Sequence, residues 1–237
     1  MWYVLLLLPF IAFKAFAVDA STYIPLGATT YKLTVQEEIE RNYPQLVEYN
    51  YVPALIEHES CISLTHKRCW NPTSQLKTSR ETGAGLGQVT KAYREDGSIR
   101  FDKLKELRDT YRSELHELSW ENVYTRPDLQ IRALVLLVKQ DNNRLRGIED
   151  EHERLKFTDA AYNGGVGGVF KEQRACGLAA GCNPQIWFGN VENYCMKSKK
   201  ALYGTRNACS INRHHVFNVM QEKLPKYKIY YGLTPKL

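Results

Sequence analysis

The 237-residue sequence predicts a mostly α-helical single domain with local disulfide staples. Three observations lead there. Apolar residues recur at helical spacing through much of the chain, whereas alternating, strand-like patterns are few. Residues 131–138 are apolar apart from Arg132, as in a helix buried on nearly all sides. Six cysteines fall into three close pairs, Cys61 with Cys69, Cys176 with Cys182 and Cys195 with Cys209. An even count fits an exported, disulfide-bonded chain, although six cysteines admit other connectivities. A zinc site would want CxxC-like spacing with histidine nearby, and no cysteine pair has it.

The elements follow in order. Residues 1–17, MWYVLLLLPFIAFKAFA, have an apolar run too short to span a bilayer, which takes roughly 20 residues. The run ends in Ala15-Phe16-Ala17, a small-x-small pattern suited to signal peptidase, so the segment reads as a signal peptide. No Lys or Arg precedes the run, which leaves an uncleaved membrane anchor as the alternative. Residues 18–33 are polar, contain Pro25 and Gly27, and are expected to run extended over the surface. The folded domain is expected over 34–237. Thr34 with Glu37 reads as a capping box opening a helix that Pro44 ends. Pro53 suits the first turn of a helix over 52–59. Residues 61–82 lack periodicity and read as a stapled loop, and 83–88 as a glycine-rich turn with a helix starting after Thr90. Apolar residues at 101, 104, 107, 111, 115 and 118 predict another helix. Pro127 opens the central helix, 158–163 forms a short helix closed by Gly164-Gly165, and the rest mixes helices and loops.

The formal net charge of +6 is spread out, densest at His66-Lys67-Arg68 and at 197–200. This is the pattern of a solvated surface that would also favour approach to an anionic polymer. No nucleic-acid motif accompanies it, and no phosphate-binding glycine pattern is present. His58-Glu59, His116-Glu117 and His152-Glu153 each begin like HExxH, but none has the second histidine, so no metal site is expected. The adjoining His214 and His215 point in different directions and read as surface or core residues.

Glu59 shares a helix face with Val52, Leu55 and Ile56. A carboxyl at the edge of an apolar face is partly desolvated, which favours its protonated form and equips it as a general acid. Glu57 lies on nearly the opposite side of the helix, so the two cannot form a catalytic pair.

Three segments, in order, resemble a known family. Glu59-Ser60 looks like the catalytic Glu-Ser of lytic transglycosylases and goose-type lysozymes. Gly85-Leu86-Gly87-Gln88 is similar to their Gly-Leu-Met-Gln. Ala161-Tyr162-Asn163-Gly164-Gly165 is similar to their Ala-Tyr-Asn-Ala-Gly. The resemblance covers residues 50–170, and the tail, with Trp187-Phe188 and Asn212-Arg213, resembles phage-type relatives only loosely.

The resemblance implies a lysozyme-like fold and cleavage of peptidoglycan between N-acetylmuramic acid and N-acetylglucosamine, without a cofactor. It makes Glu59 the acid and then the base. The acetamido oxygen of the substrate assists, and a 1,6-anhydro ring closes without water. It makes Ser60 a residue that contacts sugar or orients Glu59, and Gln88 a substrate contact. Tyr162 would hydrogen-bond Glu59, and Asn163 would hold the acetamido group. Gly87 stands where the family has Met, which would remove an apolar wall of the groove. A hydrolytic muramidase would need a second carboxylate, for which Glu81 and Asp159 are candidates. A glycan-binding protein without catalysis is the alternative of another class. The expected partner is the glycan strand, with no nucleic acid, membrane contact only through the leader, and a monomer in the periplasm or outside the cell.

Overall fold

A computed structural model describes residues 19–235, so the leader read over 1–17 lies outside the described residues. The chain is mostly α with one small antiparallel sheet and a two-stranded ribbon. Among the described residues, no helix is long and apolar enough to cross a membrane.

Helix α5 (Pro127–Arg144) is the spine, with Pro127 in its first turn as expected. Its apolar run serves two cores at once. Ile131, Leu134, Val135 and Val138 join the larger cluster, with α1 (Leu26–Asn42), α2 (Tyr51–Ser60) and the C-terminal helices. Leu129, Ala133, Leu136 and Leu137 join a smaller cluster beneath the sheet. The two sets lie on different faces of one helix, which is why its apolar residues run without a polar stripe.

The larger core is completed by α6 (Glu151–Gly164), α7 (Val166–Gly177), α8 (Ala208–Phe217) and α9 (Leu224–Tyr231). A π-helical segment, Asn218–Lys223, joins the last two. The sheet has the order β1 (Gln75–Lys77), β2 (Glu81–Ala84), β3 (Val89–Tyr93) and β4 (Ile99–Asp102), antiparallel throughout. It leads into α3 (Lys103–Thr110) and α4 (Arg112–Leu115), whose leucines cover the smaller core. The ribbon pairs β5 (Ala201–Tyr203) with β6 (Arg206–Asn207) ahead of α8.

All three disulfides form between the close pairs, Cys61–Cys69, Cys176–Cys182 and Cys195–Cys209. Buried ion pairs tie distant elements together. Arg132 makes two hydrogen bonds of 2.9 Å to the Glu38 carboxylate and so fixes α5 to α1. Glu57 accepts from Lys226 and Tyr227 on α9. Glu172 accepts from Lys197 and Arg213.

Three expectations are corrected. Helix α1 begins at Leu26, inside the stretch expected to be extended, and Thr34 lies within it rather than capping it. Ala28, Val35 and Ile39 supply a buried face across the proposed boundary, and that packing overrides the capping pattern. The segment after Thr90 is strand β3, paired with β2 across the turn 85–88. These strands are short and rich in charge, so their alternation does not show in the sequence. The helix expected over 101–118 divides into the end of β4, α3 and α4. Asp102 caps α3 by accepting from the Lys105 N–H at 3.0 Å.

Candidate active site

A cleft of about 850 Å³ opens between the sheet side and the larger helical core. Its lining includes Glu59, Ser60, Gln88, Tyr162 and Asn163, the five residues singled out in the sequence. They come from the end of α2, the turn between β2 and β3, and the end of α6.

Helix α2 is buried along most of its length, and its last turn reaches the cleft. The Glu59 side chain is 17% exposed. Ser60 spends its hydroxyl internally, donating to the Ile56 carbonyl at 2.7 Å and accepting from the Trp70 N–H at 3.0 Å. It fixes the chain leaving α2 and makes no hydrogen bond to Glu59.

The glycine turn is clamped to α5 by Gln130. The Gln130 amide oxygen accepts from the Leu86 N–H at 2.8 Å, and its NH2 donates to the carbonyls of Pro72 and Val123. Gly85 has φ +73° and faces that carboxamide, and a Cβ there would lie 2.3 Å from it. Gln88 closes the turn with φ +44°, and its NH2 donates to the Gly85 carbonyl at 2.8 Å. Its amide oxygen is left as the acceptor it can offer a ligand.

Gly87 does not mark a missing groove wall. A Cβ there would come within 2.8 Å of Leu134 and 3.1 Å of the Tyr162 hydroxyl, so the position is already filled. Tyr162 donates its hydroxyl proton to the Gly87 carbonyl rather than to Glu59. Burial, with the Glu59, Asp159 and Asp141 charges nearby, holds that phenol well above its usual range. The exposed Asn163 accepts from the Asn212 NH2 at 3.0 Å. Among the described residues nothing engages the Asn163 NH2 group, which remains a donor for a ligand.

The group that holds Glu59 is His215, on α8. Its Nε2 lies 2.8 Å from Glu59 Oε1, and its Nδ1 lies 2.8 Å from Asp159 Oδ2. Tyr51 donates to the other Asp159 oxygen at 2.9 Å. Asp159 is fully buried with both oxygens engaged, so it has no path to a water in the cleft. His58 packs edge-on against the His215 ring at 4.3 Å, and the Tyr162 ring lies roughly parallel to it at 6.4 Å. Burial works against a charge on His215, but the Asp159 and Glu59 carboxylates outweigh it and raise the imidazole to about 10. Burial beside that charge drives His58 down to about 2 and keeps it neutral.

Three further carboxyls line the cleft, Glu81, Glu106 and Asp141, and Glu106 is paired with Lys103. Glu81 accepts a hydrogen bond from Tyr203. Asp141, on α5, is raised to about 6 by burial, with Arg144 and Lys103 opposing.

His215 and Asp141 were not singled out in the sequence. His215 does carry a signal: Asn212, His215, Val216 and Val219 follow i, i+3, i+4, i+7, the buried stripe of a helix. A histidine on such a stripe needs a partner, yet nothing local names Glu59, 156 positions away. No protein-family model fits the chain and no curated protein matches it.

Proposed function

We propose that this protein is a lysozyme-like, peptidoglycan-cleaving lytic transglycosylase with Glu59 as its acid and base. The observation that carries the reading is the meeting of Glu59, Gln88, Tyr162 and Asn163 on one cleft, from three separate parts of the chain. The cleft volume is at the upper end of the range for ligand sites, which suits several sugar rings.

Glu59 protonates the glycosidic oxygen as the bond to the muramic acid anomeric carbon breaks. The acetamido oxygen of the same sugar holds that carbon, in the substrate-assisted manner that dispenses with a protein nucleophile. The Asn163 NH2 group is the donor suited to orient that acetamido group. Glu59, now ionised, takes the proton of the 6-hydroxyl, and O6 closes on the anomeric carbon. Water is neither consumed nor released, and no cofactor takes part. The three disulfides suit an oxidising, exported setting, and the reading extends this to the periplasm or the outside of the cell, with the protein acting as a monomer.

A hydrolytic muramidase is favoured by one specific feature, the carboxyls of Asp141 and Glu81 on the same cleft. The deciding measurement is a mass spectrum of fragments released from purified peptidoglycan by the oxidised protein, by Glu59→Gln and by Asp141→Asn. Ends of 1,6-anhydromuramic acid, lost in Glu59→Gln and kept in Asp141→Asn, are expected. Reducing ends lost in Asp141→Asn would establish hydrolysis. Binding to glycan strands without soluble fragments would leave a non-catalytic binder, and an active Glu59→Gln would overturn the site.

A further inference from the structure

Both ring nitrogens of His215 face carboxylate oxygens, at 2.8 Å each. A neutral imidazole has one N–H and can satisfy only one such contact; the other must be bridged by a second proton. That proton sits either on Nε2, making an imidazolium, or on Glu59, as a carboxylic acid donating to Nε2. In both arrangements the Asp159 side keeps its Nδ1–H, and one mobile proton lies between Glu59 and His215.

We propose that Glu59 and His215 act as a single acid, sharing one proton that rests on His215 and is handed to the sugar oxygen through Glu59. The inference rests on the transglycosylase reading for its substrate, and on geometry for the shared proton. His215 is a positioning residue here, since Glu59 is the group that meets the sugar.

The surroundings of His215 fit this role. From α2 it faces Glu59, Tyr51 by way of Asp159, and the neutral ring of His58. From α6 it faces Asp159 and Tyr162. On its own helix Arg213 is committed to Glu172, and His214 is exposed and bonded to Asn218. Lys223 and Arg206 act on His58 from beyond that ring. Asp159 therefore has no Lys or Arg partner among the described residues, and the imidazole supplies the balancing charge. His215 is 3% exposed and Glu59 17%, so Glu59 is the more open route between that proton and the cleft.

In the first step the Nε2 proton passes to Glu59 Oε1, and Glu59 hands that same proton to the glycosidic oxygen and is left ionised. The C–O bond breaks, and its electron pair stays on that oxygen. His215 is left neutral, with Nδ1–H still on Asp159. In the second step the 6-hydroxyl proton goes to Glu59, the O6–carbon bond forms, and Nε2 recovers its proton. The site returns to its starting state with no water or external base.

The test is fragment release against pH for the wild type and His215→Gln, with circular dichroism on both. An unassisted carboxyl loses its proton at about 4.3. The shared acid is expected to stay active well above neutrality, with its alkaline limb near 10. His215→Gln is expected to lose about a hundredfold or more in kcat/KM at pH 8 while keeping activity in acid. Equal alkaline limbs in the two proteins would overturn the proposal. Should the wild type release no fragments at any pH, the transglycosylase reading fails, and ¹⁵N titration of His215 in the wild type and Glu59→Gln decides the proton pair. A titration near 10 that shifts in Glu59→Gln upholds the shared proton, and an ordinary histidine titration overturns it. This measurement on the wild type also stands if His215→Gln does not fold.

Discussion

His215 and His58 are neighbours with opposite preferences, and the sign of each decides how stability depends on pH. His215 binds its proton more tightly when folded, at about 10 against 6.5 for a free imidazole. Its contribution is therefore fully present below about 6.5 and is lost as pH rises through about 10. His58 is held at about 2, so the folded state resists a proton that the unfolded chain accepts below 6.5, and stability falls as pH drops beneath that value. Thermal midpoints taken from pH 7 to 10 are expected to fall, and His215→Gln should flatten that fall. Asp141 works in the same sense as His215, at lower pH, and opposes His58. Its folded value of about 6 lies above 3.8, so stability declines as pH rises through that interval. Asp141→Asn is expected to stabilise the protein at pH 7 by on the order of 2 kcal/mol and to change little at pH 4, as read by denaturant unfolding at the two pH values.

Among the elements, the β2–β3 turn depends on a side chain from a helix. Gly85→Ala would drive a Cβ into the Gln130 carboxamide at a positive φ, and a loss of about 2 kcal/mol or more is expected in urea unfolding, with the proposed cleavage reduced as Gln88 shifts. Lys226→Met leaves Glu57 charged and buried without its cation; urea unfolding is expected to register about 3–5 kcal/mol.

These elements also mark what the sequence reveals. The central helix, α2 and the disulfide pairs were legible because their signals are local: unbroken apolarity, a proline in a first turn, close cysteine spacing. The sheet was not, because its strands are held by pairing across a turn and by one buried side, neither of which is written in a four-residue segment. The start of α1 was hidden by polar residues that face solvent. The site was half legible. Glu59, Gln88, Tyr162 and Asn163 lie in short motifs, whereas His215 is joined to Glu59 only by the packing of α8 against α6 and α2. The hydroxyls of Ser60 and Tyr162 turned out to serve the backbone, at Trp70 and Gly87.

For the whole molecule, three short staples flank a framework of two cores on one helix. Closing loops separated by 6, 8 and 14 positions is worth about 2–3 kcal/mol each by the chain-entropy relation. Together that is comparable to the total stability of an ordinary domain, about 5–15 kcal/mol. A reductant is therefore expected to lower the urea midpoint steeply and to cost most of the proposed cleavage activity. Replacing a single cysteine pair by serines should leave a folded protein with a smaller shift.

The bond between Glu59 and His215 also has a meaning in time. Its two ends are 156 positions apart, so one is synthesised long before the other. Until α8 has docked, with Cys209 at its base joined to Cys195, Glu59 has no imidazole to draw on. Contacts between distant parts of a chain form late, because the closure of the intervening loop must come first. On the proposed reading, a nascent chain thus holds a carboxyl in the right helix but not yet the shared acid. On the proposed function, a wall-cutting activity arranged in this way would stay silent during synthesis and begin only when the last helices are in place.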